Sequence, residues 1–187
     1  MIKHLKRVKK INKVSTIMGL DIGKVNIGMA ISNREFNDSK GFKHLLLQSG
    51  IDSPYYPTYD EDFSKNTKFY YQLNRTITEN HVKALIVGYP LLKHQQTKHS
   101  YFIEKLMKYI YKQKLIHCPC TFINEDFSTI QAVKLLEIDQ MNRNEDTFNK
   151  DYIHNKKLKD KAAATIILNR FLVLYNTSQD ELELNAE

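Results

Sequence analysis

A single aspartate in an apolar, glycine-containing stretch constrains the fold of this chain more than any other feature. The stretch covers residues 18 to 32 and reads MGLDIGKVNIGMAIS. Two apolar runs separated by a short segment around Lys24 to Asn26 predict a β-hairpin. An unpaired charge in a buried strand costs on the order of several kcal/mol, so Asp21 needs a partner such as a metal ion. The simpler alternative is that Asp21 only caps a turn.

The composition is that of a basic globular protein. The 187 residues fit one domain, and 42% of them are hydrophobic, which excludes a fully disordered chain. Lys and Arg number 28 against 21 Asp and Glu, a net charge of +7 that favours an anionic partner, nucleic acid before a membrane surface. No apolar segment approaches the roughly 20 residues that span a bilayer, and no segment shows a clear apolar face opposite the lysines, so we expect no membrane partner.

The two cysteines indicate the redox environment. Cys118 and Cys120 are one residue apart, a spacing at which a disulfide is strained, and with His117 they supply too few ligands for a zinc site. We therefore expect a reducing compartment. The cytoplasm and the mitochondrial matrix are both compatible with it.

The order of predicted elements indicates the fold. The hairpin is followed by further strands at 41–50, 83–88 and 120–124, and by helices at 63–80, 101–114, 129–138 and from Asp160 onward. An antiparallel unit followed by βαβ crossovers predicts an α/β protein whose five-stranded mixed sheet carries helices on both faces. This is the pattern of the ribonuclease H-like fold.

The predicted domain is flanked by two charged segments. Residues 1–16 form a basic N-terminal arm, which is compatible with a targeting segment, a phosphate-binding arm or a solvated tail. Residues 17–176 form the ribonuclease H-like domain, and residues 177–187 form an acidic C-terminal tail.

Three carboxylates are expected at one edge of the sheet. Asp21 ends the first strand, Glu125 follows the fifth, and Asp160 begins the last helix. Such acids would repel one another unless a cation such as Mg²⁺ or Mn²⁺ were bound, and a pair of these metals can activate water against a phosphodiester. The alternative is that Glu125 is an ordinary loop acid and Asp160 a charge that favours the helix dipole.

Four motifs resemble the YqgF family, also called RuvX, whose members are ribonuclease H-like proteins related to Holliday junction resolvases. The motifs lie between residues 17 and 174 and read GLDIG with IGMAIS (19–32), IVGYPL (86–91), NEDFST (124–129) and DKAAA with IIL (160–168). The resemblance implies that Asp21, Glu125 and Asp160 form a catalytic two-metal site for Mg²⁺ or Mn²⁺. It also implies a metal-dependent nuclease that acts on small-subunit rRNA precursors or on Holliday junctions.

Two positions depart from the family pattern. Lys24 stands where the family usually has Thr, and Asp126 stands where it has Arg; the loop after Pro90 also lacks the usual NMDG run. An Asp beside a phosphate site adds repulsion, so we expect retained nuclease chemistry with an altered grip on the substrate. The alternative is a non-catalytic rRNA-binding protein associated with the ribosomal small subunit, including a mitoribosomal one.

Basic residues flank the predicted acidic site along the sequence. Together they would form a basic rim around an acidic floor, which suits a phosphate backbone of rRNA, pre-rRNA or branched DNA. The set consists of Lys24, Lys93, His94, Lys98, His99, Lys156, Lys157 and Lys159.

Overall fold

The computed structural model describes residues 15–47, 62–93, 95–125, 134, 136 and 155–184, with side chains through residue 177. The strands are β1 (Thr16–Ile22), β2 (Asn26–Ser32), β3 (Ser39–Leu46), β4 (Val82–Tyr89), β5 (Leu91–Leu92), β6 (Gln95–Gln96) and β7 (Cys120–Asn124). The helices are α1 (Thr67–Glu79), preceded by a 3-10 turn at Phe63–Asn66, then α2 (Lys98–Lys112) and α3 (Lys156–Leu184).

Five of the strands form one mixed sheet with β1 at its centre. The strand order is β3-β2-β1-β4-β7; β1 pairs antiparallel with β2 and parallel with β4. β2 pairs antiparallel with β3, and β4 pairs parallel with β7. The predicted hairpin and the ribonuclease H-like fold with its five-stranded mixed sheet are therefore confirmed.

Helices α1 and α2 cover one face of the sheet with large apolar side chains. Leu73 of α1 and Leu106 of α2 are fully buried, and they belong to the same cluster as Leu20 of β1 and Val87 of β4. The helical spacing of Phe69, Leu73 and Ile77 predicted this apolar side of α1, because residues three or four apart share a face.

Helix α3 covers the other face and packs unusually close to it. Ala164 and Leu168 of α3 are buried against this face in a separate cluster. A Cβ at Gly19 of β1 would lie only 2.8 Å from the carbonyl oxygen of Ala164, and a Cβ at Gly41 of β3 would lie 3.1 Å from Lys161 Cβ. The helix backbone can approach the sheet because these strand positions carry no side chain.

Two helices begin earlier than the sequence predicted. Helix α2 starts at Lys98 because Thr97 caps it: its side chain accepts from the Ser100 backbone while the Ser100 hydroxyl accepts from the Thr97 backbone. Helix α3 starts at Lys156, where Asn155 Oδ1 accepts from the Lys157 backbone N–H at 3.1 Å. The predicted basic approach to Asp160 is therefore the first turn of α3.

Other element boundaries differ by smaller amounts. β3 begins at Ser39 instead of residue 41, and the loop predicted after Pro90 contains the short β5–β6 ribbon. Helix α3 continues to Leu184, so part of the predicted acidic tail is helical.

Some predictions fall outside the described residues. They include nearly all of the basic arm, most of the loop at 51–62 and most of the helix at 129–138, of which Lys134 and Leu136 are described and helical. Among the helices that are described, none is both long and apolar enough to cross a membrane.

Candidate functional site

Asp21 lies near the end of the central strand and has a glycine beside it on each neighbouring strand. Gly28 of β2 pairs directly with Asp21. On the other side, Gly88 of β4 follows Val87, the residue that pairs with Leu20. Asp21 is two residues after Gly19 and therefore faces α3, as strand alternation requires. The positions on both sides of Asp21 are thus open to groups from other elements.

Asp160 of α3 occupies the position over Gly28. A Cβ at residue 28 would overlap the main-chain carbonyl oxygen of Asp160 and would lie 3.1 Å from its Cα. The Asp160 side chain is half-buried, and its Oδ2 atom is buried with no hydrogen-bond partner among the described residues. Glycine at position 28 therefore allows α3 to bring a second carboxylate next to Asp21.

Glu125, the residue after β7, occupies the position over Gly88. A Cβ there would overlap the Oε2 atom of Glu125, whose side chain is buried at 9% exposure. The Glu125 backbone N–H also donates to the Tyr89 carbonyl at 3.4 Å, which holds the residue at the end of β4. The three predicted acids thus approach the end of β1 from both sides, Asp160 over β2 and Glu125 over β4.

Both Asp21 and Asp160 have carboxyl groups whose pKa is raised by their surroundings. Burial and the nearby charge of Asp160 raise the pKa of Asp21 to about 7. Burial also raises the pKa of Asp160, an effect that the positive charges of Lys156, His44 and Lys159 oppose. A cation bound next to such an acid would stabilise its ionised form.

The oxygen atoms of Asp21 and Asp160 suit a divalent cation such as Mg²⁺, but they provide only part of a metal site. Carboxylate oxygens are the ligands that Mg²⁺ and Mn²⁺ prefer, and a cation between Asp21 and Asp160 would relieve the penalty on both. Within the described part of the chain, however, no three side chains of His, Cys, Asp or Glu converge on one metal position. The role of Glu125 as a third ligand therefore stays a prediction.

His44 of β3 was not singled out from the sequence, yet it lies in the same row as Asp21. It pairs with Gly28, so the row across the sheet reads His44, Gly28, Asp21. Burial lowers the pKa of His44, as do the positive charges of Lys157 and Lys161, whereas Asp160 raises it. Only the register of β3 against β2 reveals this position, and no sequence signal defined that register.

His99 links α2 to the end of β1. Its Nε2 atom lies 2.7 Å from the Ile22 carbonyl oxygen, and its ring stacks on Phe102 with a centroid distance of 5.9 Å. Burial lowers the pKa of His99, and the charge of Lys24 contributes in the same direction. The predicted loop residue His99 is therefore a helical residue that contacts the backbone next to Asp21.

The predicted basic residues fall into two groups by element. The first is on turns and on α2, and all of its side chains are exposed: Lys24 in the β1–β2 turn, Lys93 between β5 and β6, and Lys98 in α2. The second is in the first turn of α3 and consists of Lys156, Lys157 and Lys159. His94 lies outside the described residues. A nucleic-acid contact by either group stays a prediction.

Similar proteins that share one name match most of this chain. A protein from Mycoplasma mobile named "Putative pre-16S rRNA nuclease" is 28% identical over 162 residues, which cover 84% of this chain and 92% of the relative. A Synechocystis protein of the same name is 25% identical over 171 residues, covering 91% and 95%.

Two solved structures are also similar to this chain. Thermus thermophilus RuvC has a TM-score of 0.47 at 9% identity, covering 87% of this chain and 97% of RuvC. The Fowlpox virus resolvase in complex with Holliday junction DNA has a TM-score of 0.45 at 16% identity, covering 84% and 96%.

A family model described as RuvX, Holliday junction resolvase, matches residues 15–173. This range includes all the strands of the sheet and the three acids of the candidate site. The family predicted from the four motifs is therefore confirmed, and the chain belongs to the RuvX family.

Proposed function

We propose that this protein is a nuclease that hydrolyses phosphodiester bonds in structured nucleic acid, with Mg²⁺ or Mn²⁺ bound by its carboxylates. The observation that carries the proposal is the arrangement around Asp21, where glycines on both neighbouring strands admit Asp160 and Glu125. Acids placed together repel one another when they are ionised. A cation bound between them would offset this repulsion, which explains why the arrangement is present. Membership of the RuvX family supports nuclease activity.

The residues of the site have distinct roles in this proposal. Asp21 and Asp160 would hold the cation, and Glu125 would complete the set from the β4 side. A divalent cation in such a site lowers the pKa of water and stabilises the leaving oxygen of a phosphodiester. Burial and the charge of Asp160 raise the pKa of Asp21 to about 7, and positive charge placed beside it would favour its ionised form.

The substrate that we propose first is an rRNA precursor of the small subunit. The names of the Mycoplasma mobile and Synechocystis relatives support this choice. A four-way DNA junction is the other substrate of the same chemistry, supported by the description of the family. The lysines of the β1–β2 turn, of α2 and of the first turn of α3 have the charge that suits the phosphate backbone of either polymer.

A second candidate function is rRNA binding without cleavage, in association with the small ribosomal subunit. It is favoured by the observation that the described acids do not converge on one metal position. The departures from the family pattern at Lys24 and Asp126 point the same way.

The deciding experiment is Mg²⁺-dependent cleavage of end-labelled pre-rRNA fragments and four-way DNA junctions. We expect Asp21→Asn to lower the cleavage rate by roughly 10²-fold or more, as is typical when one group that stabilises the transition state is lost. The matched control is Asp38→Asn, the same change in an exposed residue of the β2–β3 turn. It should cleave like the unmodified protein.

Two results separate the candidates. Equal residual cleavage by the unmodified protein and by Asp21→Asn would refute catalysis at this site. Tight rRNA binding without Mg²⁺-dependent cleavage, unchanged in Asp21→Asn, would support the non-catalytic candidate.

A further inference from the structure

Basic side chains from two different elements surround Asp160 on the side that faces β3. His44 of β3 pairs with Gly28, and Asp160 packs over that glycine. Lys161 of α3 lies above the same edge strand, since its Cβ is 3.1 Å from the position of a Cβ at Gly41. The edge strand and the helix therefore both contribute to the surface next to the acids.

Helix α3 runs antiparallel to β3, which determines where Lys157 lies. Further along the helix, the Ser39 hydroxyl at the start of β3 donates to Asn169 Oδ1 at 2.7 Å. Lys161 lies over Gly41, two residues further along the strand, so increasing helix number corresponds to decreasing strand number. Lys157, one turn before Lys161, is therefore on the His44 side. The lowering of the His44 pKa by both lysines is consistent with this placement.

The two lysines have no acidic partner in the described part of the chain. The described ion pairs within 4.0 Å involve other residues, on α1, α2 and the 3-10 turn. The carboxyl of Asp160 is already approached by Lys156 and Lys159 as well as His44. Positive charge on this side thus exceeds what the nearby acid offsets, and an anion is the complementary ligand.

We propose that His44, Lys157 and Lys161 bind phosphodiester groups of the nucleic acid beside Asp160, on the β3 side of the acidic site. The identity of the polymer rests on the proposed function, whereas the binding surface does not. The proposal adds two residues, His44 and Lys161, to those predicted from the sequence. It also directs the nucleic acid across the β3 edge of the sheet.

Binding at this surface should not require a divalent cation. The attraction comes from ammonium groups and an imidazole N–H, so it persists when metal is removed, and cleavage is then suppressed. Affinity can therefore be measured in EDTA, by fluorescence anisotropy, with a labelled RNA hairpin and a labelled four-way DNA junction over a series of salt concentrations.

The principal variant is Lys157→Gln with Lys161→Gln. Each lost phosphate contact lowers the slope of log K against log salt by about 0.7 to 0.9, so the double variant should lower it by about 1.4 to 1.8. The matched control is Lys83→Gln with Lys112→Gln, which removes the same charge far from the acids. Lys83 is near the start of β4 and Lys112 ends α2, whereas the acidic site is at the end of β4. We expect the control to keep the slope of the unmodified protein.

His44 is tested by a pair of substitutions. Measured at pH 8, His44→Ala should weaken binding several-fold without changing the salt slope, because an imidazole that is neutral at that pH contributes a hydrogen bond and no net charge. His44→Gln, which keeps an N–H donor, should restore part of the affinity. A purely structural role for His44 would instead leave the binding of both variants unchanged at temperatures where they are folded.

A substrate with one neutral methylphosphonate linkage locates the contact. At a contacted position this linkage should weaken binding by the unmodified protein, and it should have little further effect on the lysine double variant. The proposal is overturned if the double variant keeps its salt slope, or if the control pair reduces the slope equally. Failure of the proposed function would appear separately, as absence of Mg²⁺-dependent cleavage by the unmodified protein.

Discussion

The two faces of the sheet are packed in different ways. On the α1/α2 face, Leu73 and Leu106 fill the space between helix and sheet with large side chains. On the α3 face, glycines at positions 19, 28 and 41 bring the helix backbone close to the strands. The first arrangement buries apolar area and stabilises the fold. The second fixes the position of α3, and with it the position of Asp160 relative to Asp21.

The candidate site therefore depends on two strand positions, 28 and 88, at which glycine leaves room for other groups. Asp160 and Glu125 can lie beside the central strand because residues 28 and 88 carry no Cβ. A substitution on the α1/α2 face should therefore change mainly the free energy of unfolding, whereas an added methyl on the α3 face should change mainly cleavage.

The largest effect is expected from Gly28→Ala compared with Leu106→Ala. An added Cβ at residue 28 meets main-chain atoms of Asp160, which cannot rotate away, so α3 must shift. Overpacking of this kind costs about 1–3 kcal/mol, and the shift should abolish cleavage by the folded protein. Leu106→Ala should cost about 2–5 kcal/mol while its folded fraction cleaves normally. Urea unfolding and cleavage rates per folded molecule test both.

The opposite pattern would contradict the distinction between the two faces. If Leu106→Ala reduced cleavage per folded molecule as much as Gly28→Ala, the close approach of α3 would have no special role in placing Asp160.

A smaller effect is expected from Gly88→Ala. Here the added Cβ meets the Glu125 carboxylate, which can rotate, and Ile167 Cδ1 at 2.6 Å. The stability cost should therefore lie at the low end for overpacking, about 1 kcal/mol. Cleavage should fall because Glu125 is displaced from the end of β1.

A double-substitution cycle provides the control for Gly88→Ala. If the added methyl acts through Glu125, combining it with Glu125→Gln should lower cleavage no further than Glu125→Gln alone. Additive losses would show that Gly88→Ala acts on another part of the site.

Much of this arrangement could be predicted from the sequence, and the remainder depended on tertiary geometry. The apolar hairpin, the alternation of strands and helices, and the acids at element ends were all visible as local patterns. The pairing of Asp21 with Gly28 and the crossing of α3 over that pair require the register and the helix position, which no local pattern specifies. His44 was missed for the same reason. The early starts of α2 and α3 depend on caps at Thr97 and Asn155 that were not recognised in the sequence.

The smallest expected effect on cleavage comes from changing pH, which acts on the charge of Asp21 and is measured through stability. Because folding raises the pKa of Asp21 to about 7, the native state binds a proton more tightly than the unfolded chain does. The contribution of Asp21 to stability therefore decreases as pH rises from its ordinary pKa of 3.8 to about 7, and it is constant above that. Asp21→Asn should remove this decrease, so the variant should gain thermal stability relative to the unmodified protein as pH rises through this window.

The effect of Mg²⁺ on the Tm provides a second test of the charge on Asp21. A cation at Asp21 and Asp160 stabilises the ionised carboxylates, so Mg²⁺ should raise the Tm of the unmodified protein above pH 7 and should have a smaller effect on Asp21→Asn. Asp38→Asn again serves as the control, because it removes one carboxylate outside the site. Equal shifts by Mg²⁺ in all three proteins would assign the ion to general screening. A shift specific to proteins that retain Asp21 would link the charge of that residue to cation binding on the α3 face, independently of cleavage.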